Sequence, residues 1–253
     1  MDDAIAKILL LLGLMAAVSL VELWIPFRTP GTRSPGPNLV LTLLFLALNL
    51  ALTAPLLLAA EWMDAAQVGH LNRSGLSEPM QVVAGIVLLD LGAYAAHVLM
   101  HKVPWLWRFH RVHHSDTLVD VTTAFRQHPG ETALRMAFTA GPALLLGASA
   151  ETIALYRTLS GISAIFEHAN VRLPEWLDRP LRAVIVGPTL HKVHHSRIAS
   201  ETDSNYGNIF SLFDRAFGTF TPASHACRVR YGLDGHDAPM QQTARGLLRL
   251  PWR

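Results

Sequence analysis

Nine of the thirteen histidines in the sequence are spaced so that helices would gather their imidazole rings. His97 and His101 are four residues apart, so in a helix they share one face. The pattern His-x-x-His-His occurs twice, each copy again placing its rings on one side of a helix, and a single histidine stands between the copies. The nine positions are His97, His101, His110, His113, His114, His168, His191, His194 and His195. This number and spacing of histidines predicts a metal site.

The number of imidazoles indicates more than one metal ion. A catalytic zinc site typically uses three protein ligands and a water, so nine rings are too many for one ion. Two ions with four or five nitrogen ligands each would use them all. Nitrogen ligands favour iron, copper or zinc over magnesium or calcium. A pair of irons with open positions can bind dioxygen and cut an unactivated C–H bond, and the single cysteine, Cys227, excludes a cysteine-rich zinc or iron–sulfur site.

The composition points to a membrane protein of one domain. The chain has 253 residues, of which 16% are charged, and a formal net charge of +2. The length suits a single domain over residues 1–253. The low charged fraction is unusual for a soluble protein. The small net charge gives no indication of nucleic-acid binding.

Four apolar stretches predict the membrane part of an all-α protein. We expect single spans at residues 5–27, 39–61 and 80–101, and a helical hairpin at residues 131–168. Residues 39–60 alone are 22 residues without a charge, enough to cross a hydrocarbon core of about 30 Å. A signal peptide is the alternative for the first stretch, although a small-residue cleavage site is missing there.

The third span carries a polar stripe that leads toward the histidine motifs. Asp90, Tyr94, His97 and His101 lie on one face of the predicted helix. Ionisable residues inside a span are costly and usually functional, so the stripe is expected to face the protein interior. The alternative is a helix-capping aspartate with two histidines of the hydrophobic core.

Charge bias predicts the orientation in the membrane. Arg28 and Arg33 flank the first short loop, which contains no acidic residue. The positive-inside rule places that loop in the cytoplasm and the N-terminus outside. The third span then returns to the cytoplasm at His101, so all the histidine motifs are expected on the cytoplasmic side.

The remaining segments are more polar than the spans. Residues 102–130 and 169–224 are the predicted cytosolic portions and carry both His-x-x-His-His motifs. Residues 225–253 contain five arginines and two aspartates. This tail could lie on an anionic membrane surface or be solvated.

The histidines belong to a wider pattern over roughly residues 85–220. It comprises Asp90-x6-His97-x3-His101, Leu106 to Ser115 (LWRFHRVHHS), Asp120 to Thr123 (DVTT), His128-Pro129 with Glu131, His168-x-Asn170, His191 to Ser196 (HKVHHS), Asn205 to Gly207 (NYG), and Asp214-Arg215 with Phe217 to Thr219 (FGT). The sequence thereby resembles the fatty acid hydroxylase superfamily, also called the sterol desaturase family. The resemblance implies about four transmembrane helices capped by a cytosolic, helical, histidine-rich domain that holds two irons.

The resemblance makes the nine histidines the expected metal ligands and suggests supporting residues. Asp90 is expected to orient an imidazole through its second ring nitrogen. Asn170 would hold a metal-bound water or cap a helix, and His128 would be a tenth ligand or a supporting group. Tyr206 would pack against the second His-x-x-His-His motif.

Three further histidines, His70, His225 and His236, are expected to be exposed to solvent. They stand outside the helical spacings that unite the other rings.

The resemblance also implies cofactors and partners. Two iron ions and O2 are expected, although zinc could be found after purification. No glycine-rich dinucleotide fingerprint is visible, so electrons would come from a separate donor such as a ferredoxin or a cytochrome b5 system. The composition and the absence of a fused electron-transfer domain suggest a bacterial inner membrane.

The reaction and the substrate stay open at this point. Hydroxylation and desaturation of a lipid C–H bond begin in the same way, and fatty acyl chains, sterols and related lipids are all candidates. A zinc-dependent membrane hydrolase is an alternative, but the sequence lacks the HExxH pattern. A non-catalytic relative of the same scaffold is the other.

Overall fold

The computed structural model describes residues 2–29, 35–224 and 226–253, and within these ranges the regular structure is helical. Three short 3-10 helices and two isolated β-bridges complete it. The α-helices are α1 (Asp2–Trp24), α2 (Gly36–Ala65), α3 (Glu78–Lys102), α4 (Pro104–His114), α5 (Pro129–Leu146), α6 (Ala150–His168), α7 (Glu175–Val184), α8 (Pro188–His194), α9 (Ala199–Thr202), α10 (Leu212–Ala216) and α11 (Ala244–Arg249). The predicted all-α class is confirmed.

Three helices are long and apolar enough to cross a membrane. They are Ala4–Trp24 within α1, with 21 residues, α2 with 30 residues and α3 with 25 residues. Their outer faces expose large aliphatic side chains, including Leu9, Leu43 and Val83. In water such surfaces would be unfavourable, whereas in a bilayer they meet lipid. This confirms a helical integral membrane protein, while a total of about four spans remains a prediction.

Helices α5 and α6 run in opposite directions within the region assigned to a hairpin, and both pack against α2 and α3. Gly147 ends α5 with a left-handed φ of 66°, a conformation that favours glycine. The turn packs against the loop between α2 and α3, where the Leu71 amide donates a 2.7 Å hydrogen bond to the Leu146 carbonyl. The pair therefore reaches from the histidine-bearing end of the helices to the opposite end. Its position in a membrane stays a prediction.

The segment after α1 lies at the same end of the molecule as the histidine motifs. Glu22 accepts hydrogen bonds from the amides of Val121 (2.8 Å) and Asn170 (2.7 Å). Asn38, near the start of α2, donates to Asp116 just after α4. The first loop and the histidine helices thus share one side, whichever compartment that is. Arg33, one of the two arginines used for orientation, lies outside the described residues.

The C-terminal tail packs onto the histidine-bearing part of the protein. Leu247 and Leu250 are buried in a cluster with Leu41 and Val112. Arg126 donates a 2.9 Å hydrogen bond to the Gln242 side chain. The tail is therefore part of the fold, so the expectation of a solvated tail was wrong, whereas contact of the tail with an anionic membrane surface stays a prediction.

Candidate metal centre

Four helices bring the nine histidine rings together. Helix α3 ends at Lys102 and α4 begins two residues later at Pro104, so the two helices meet at a sharp turn. Proline also occupies the first turn of α8, where its missing N–H costs no helical hydrogen bond. Helix α4 and the end of α8 carry the two His-x-x-His-His motifs, and α3 and α6 supply the other rings.

The first group, here named the five-histidine cluster, contains rings from α3, α4 and α8. One nitrogen atom of each ring lies within 4.8 Å of one nitrogen of every other ring. The His110 Nε2 atom is 3.1 Å from Nε2 of His97 and 3.1 Å from Nε2 of His114. The members are His97, His101, His110, His114 and His194.

The second group, named the four-histidine cluster, contains rings from α4, α6 and the end of α8. The His168 Nε2 atom lies 3.0 Å from Nε2 of His113, 2.9 Å from that of His191 and 3.2 Å from that of His195. Each member again offers one nitrogen within 4.8 Å of the others. His113, on α4, stands next to His114 of the first group, so the two clusters adjoin.

The spacing within each cluster suits the coordination sphere of one ion. Two nitrogens at right angles around an ion, each about 2.1 Å away, lie about 3 Å apart, and the measured separations are close to this. Eight of the nine residues are less than 5% exposed, with His97 and His113 the highest of these at 4%, and the side chain of the ninth, His101, is only 1% exposed. Both donor sets therefore fit a buried metal ion.

Every ring of the five-histidine cluster has an acceptor at its Nδ1 atom. An Nδ1–H that donates leaves Nε2 deprotonated, with its lone pair free for a metal. Five such lone pairs converge, and the Nε2 atoms of His101 and His194 have no hydrogen-bond partner among the described residues. A cation would relieve this repulsion. The pairs are His97 with the Tyr206 carbonyl (2.8 Å), His101 with Asp203 (3.3 Å), His110 with Glu131 (2.8 Å), His114 with Thr202 (3.3 Å) and His194 with the Ser204 carbonyl (2.7 Å).

The four-histidine cluster is held differently. Its one Nδ1 hydrogen bond runs from His168 to the Ala164 carbonyl at 2.7 Å, and the other three Nδ1 atoms have no partner among the described residues. The Glu167 carboxylate stands 3.8 Å from Nδ1 of His191, beyond hydrogen-bond distance. Buried Lys192 donates to the carbonyls of His168 (3.1 Å) and Ala169 (3.0 Å), tying α8 to the end of α6.

Burial sets the protonation state of the rings outside the membrane helices. It holds the pKa of His110 and His194, among others, well below the usual range, because the charged imidazolium would lose its hydration. The same shift applies to His113, His114, His191 and His195. These rings are neutral at pH 7, the state that binds metals.

Asp203, the partner of His101, is ionised, whereas the buried rings are neutral. Its pKa is lowered to about 2 by the hydrogen bond with His101, and the 2.6 Å ion pair with Lys102 acts in the same direction. It therefore remains a carboxylate that can accept from His101 throughout the neutral range.

Asp90 does not orient an imidazole, contrary to expectation. Its carboxylate accepts hydrogen bonds from the Asn208 side chain (2.9 Å) and from the amides of Ile209 (3.1 Å) and Phe210 (3.0 Å). The polar stripe on α3 therefore has two roles. His97 and His101 belong to the five-histidine cluster, and Asp90 anchors the loop after Tyr206.

His128 and Asn170 also have other partners than a metal. His128 begins α5, where its Nδ1 accepts from the Gly130 amide (2.9 Å), and its Nε2 lies 3.3 Å from the Leu248 carbonyl. Asn170 exchanges hydrogen bonds with the backbone of Arg28, donating at 2.8 Å and accepting at 3.0 Å. Neither side chain belongs to a histidine cluster, so both expectations are corrected to structural roles.

Tyr206 lies against the five-histidine cluster. Its ring centroid is 5.0 Å from that of His101 and 5.8 Å from that of His194, and its carbonyl accepts from His97. The Tyr206 amide itself is held by Asp214 at 2.7 Å. Tyr206 therefore packs against the five-histidine cluster with its ring and orients His97 with its carbonyl.

The three remaining histidines differ from one another. His70 is exposed, as expected, whereas His236 is half-buried because the tail folds back. His225 lies outside the described residues.

Three anchoring side chains were not assigned from the sequence. They are Glu131, Thr202 and Asp203. Each accepts a hydrogen bond from a ring of the five-histidine cluster, and the two partners are 21, 88 and 102 residues apart in the chain, respectively. Of the three, only Glu131 belongs to a motif noted in the sequence, His128-Pro129 with Glu131, and this motif could have indicated its role.

Comparison with known proteins identifies the family. The sequence profile of the family described as fatty acid hydroxylase matches residues 82–219, more than half of the chain and the whole histidine-bearing region. The chain belongs to the fatty acid hydroxylase family.

Individual relatives are lipid hydroxylases and monooxygenases. The chain is 32% identical over 155 residues to ornithine lipid hydroxylase OlsE of Rhizobium tropici, covering 61% of this chain and 46% of that protein. It is 32% identical over 152 residues to alkylglycerol monooxygenase of Danio rerio, covering 57% and 31%. A cholesterol 25-hydroxylase-like protein of Danio rerio is 33% identical over 141 residues, covering 54% of each.

The shared region covers about half or less of each of these relatives. No solved structure matches this chain significantly.

Proposed function

We propose that the chain is a membrane-bound, non-haem di-iron oxygenase that uses O2 to hydroxylate, or to desaturate, a C–H bond of a lipid. A fatty acyl chain, a sterol or a related lipid is the proposed substrate. The observation that carries the proposal is the division of nine buried imidazoles into adjoining groups of five and four nitrogens. Membership of the fatty acid hydroxylase family and three lipid-oxidising relatives support it.

The nine clustered histidines are the proposed ligands, with one iron in each cluster. The irons would supply the redox chemistry that activates O2 and removes hydrogen from carbon. Hydroxylation places one atom of O2 in the C–O bond and reduces the other to water, which requires two electrons and two protons. A separate donor, such as a ferredoxin or a cytochrome b5 system, would deliver the electrons.

The protein's own residues fix the ligands and keep water away. Glu131 and Asp203 accept from ring N–H groups and so hold His110 and His101 in orientation. Tyr206 covers the five-histidine cluster with its ring. Burial of the rings excludes bulk water from the reacting region.

The proposed location is a bacterial inner membrane, with the metal centre facing the cytoplasm. The histidine helices share one side of the molecule with Arg28, which the positive-inside rule assigns to the cytoplasm. A cysteine placed at position 74 should react with a membrane-impermeant reagent from outside. Labelling only after permeabilisation would reverse the orientation.

Metal analysis and lipid analysis together test the function. Protein purified without chelators should contain about two metal ions per chain, and the iron form should consume O2 in the presence of lipid and a reductant. Cells with the gene should contain lipids that differ by one oxygen for hydroxylation, or by two hydrogens for desaturation. Unchanged lipids, with metal bound and no O2 consumption, would contradict the oxygenase and favour a non-catalytic or zinc-dependent relative.

A further inference from the structure

A cavity of about 250 Å³ lies among the long helices below the metal centre. Its upper end is lined by Ala96 and Thr132, which adjoin His97 and Glu131 in the chain. Phe45 and Phe125, whose rings stack at 4.7 Å, line its apolar part. None of the nine clustered histidines lines it among the described residues, so the cavity ends just beneath the ligands.

An arginine lines the cavity far from the histidine clusters. Arg157 lies eleven residues before His168 on α6, about 16 Å of helical rise below it. Its Nη2 atom donates to the Asn49 side-chain oxygen on α2. Its Nη1 atom lies 3.6 Å from the Met136 sulfur, a weak acceptor. The guanidinium therefore stands at the cavity wall with neutral neighbours.

No carboxylate compensates this charge in the described part of the protein. Arg135 and Lys7 also line the cavity, and Arg135 is paired with Glu131 at 2.9 Å. The described lining residues include no aspartate or glutamate. A charge held inside an apolar bundle is energetically unfavourable unless it is paired, so such groups usually mark a binding site.

We propose that Arg157, together with Asn49, binds the oxyanion head of an amphipathic lipid, and that the lipid's apolar chain runs from there toward Ala96 and Thr132. This inference rests on the proposed function and narrows its substrate to acyl chains bearing a carboxylate or a phosphate. Guanidinium is suited to either, because its planar N–H donors can engage two oxygens at once. The distance from Arg157 to the metal centre then determines which carbon is oxidised.

Equilibrium binding of three probes to the metal-loaded protein in a neutral detergent tests the proposal without turnover. Oleate and oleyl phosphate carry the oxyanion, and oleyl alcohol has the same chain without it. At least one anionic probe should bind about tenfold more tightly than the alcohol, equivalent to about 1.4 kcal/mol. The tighter of the two identifies the head as carboxylate or phosphate. Equal binding of all three probes to the wild-type protein would overturn the proposal.

Variants assign the preference to the arginine. Arg157→Met should abolish the preference for the anionic probe while leaving oleyl alcohol binding and metal content unchanged, and Arg157→Lys should retain part of it. Arg179→Met, at an exposed arginine on α7, is the matched control and should behave as wild type. A preference that survives Arg157→Met in a metal-loaded protein would overturn the assignment. Because the binding assay requires no oxidation, it tests the role of Arg157 even if the protein proves to have no oxygenase activity.

Discussion

The two histidine clusters share α4 and α8 but are held in place by different means. In the five-histidine cluster, each ring donates its Nδ1–H to an acceptor on another segment. In the four-histidine cluster, His168 alone among the described residues donates its Nδ1–H, and its acceptor is the Ala164 carbonyl of its own helix. Orientation there depends on packing and on Lys192, which fixes the backbone. The first cluster is therefore the more preorganised, and we expect it to bind its ion more tightly.

Removal of one ligand from either cluster should have the largest effect. His113→Ala and His194→Ala each delete a nitrogen from one proposed coordination sphere. We expect loss of one metal ion and at least about a 100-fold loss of oxidation, with membrane insertion unchanged. Elemental analysis and O2-dependent product formation measure both.

His70→Ala is the control for these variants, because His70 is exposed and far from the clusters in the chain. It should retain both metals and full activity. Full turnover in His113→Ala or His194→Ala would remove that residue from the proposed ligand set.

Loss of a buried anchor should have the next largest effect, and only on the five-histidine cluster. Glu131 is fully buried and accepts from both His110 (2.8 Å) and Arg135 (2.9 Å). Glu131→Gln keeps the shape but weakens both interactions, so metal affinity should fall about 10- to 100-fold. Chelator titration should show this change in the tighter of two phases.

Glu151→Gln, at an exposed glutamate on α6, is the matched control and should leave both phases unchanged. A Glu131→Gln protein with two wild-type phases would show that packing alone orients His110.

Much of the candidate metal centre could be predicted from the sequence because its histidines lie on helices or at a helix end. A spacing of three or four residues fixes which side chains share a face, so grouping of the rings could be predicted without tertiary structure. The acceptors that hold the Nδ1 atoms could not be predicted from the sequence. Thr202 and Asp203 contact the rings from the end of α9 and the residue after it, and two further acceptors are backbone carbonyls, which any residue type supplies.

Errors arose where one residue type serves two purposes. Asp90 lies on the same helical face as His97, yet its carboxylate binds the backbone of residues 209 and 210. His128 follows the first His-x-x-His-His motif, but it begins α5 and contacts the tail. The tail itself had no strong helical periodicity, so its packing through Leu247 and Leu250 was not visible.

Lys192 offers a test of the four-histidine cluster. It is fully buried and bridges α8 to two carbonyls at the end of α6. Lys192→Met removes both of these hydrogen bonds, each typically worth about 1 kcal/mol. We expect a lower unfolding temperature and about tenfold faster loss of the weaker-bound metal, with the tighter phase retained.

Arg179→Met again serves as the control, because it removes a surface cation without touching either cluster. Equal acceleration of both phases by Lys192→Met would mean that α8 holds the clusters as one unit, and the comparison between them would fail.

The smallest effect is expected at Asp203, the exposed anchor of the five-histidine cluster. Its side chain is 36% exposed, and its contact with His101 is 3.3 Å long, so water can partly replace the carboxylate. Asp203→Asn should therefore weaken the tighter metal phase by about two- to fivefold, less than Glu131→Gln, because the buried site has no substitute acceptor. Asp234→Asn, at a more exposed aspartate of the tail, is the control. If Asp203→Asn matched Glu131→Gln in chelator titration, charge rather than burial would govern how strongly each anchor supports its ring.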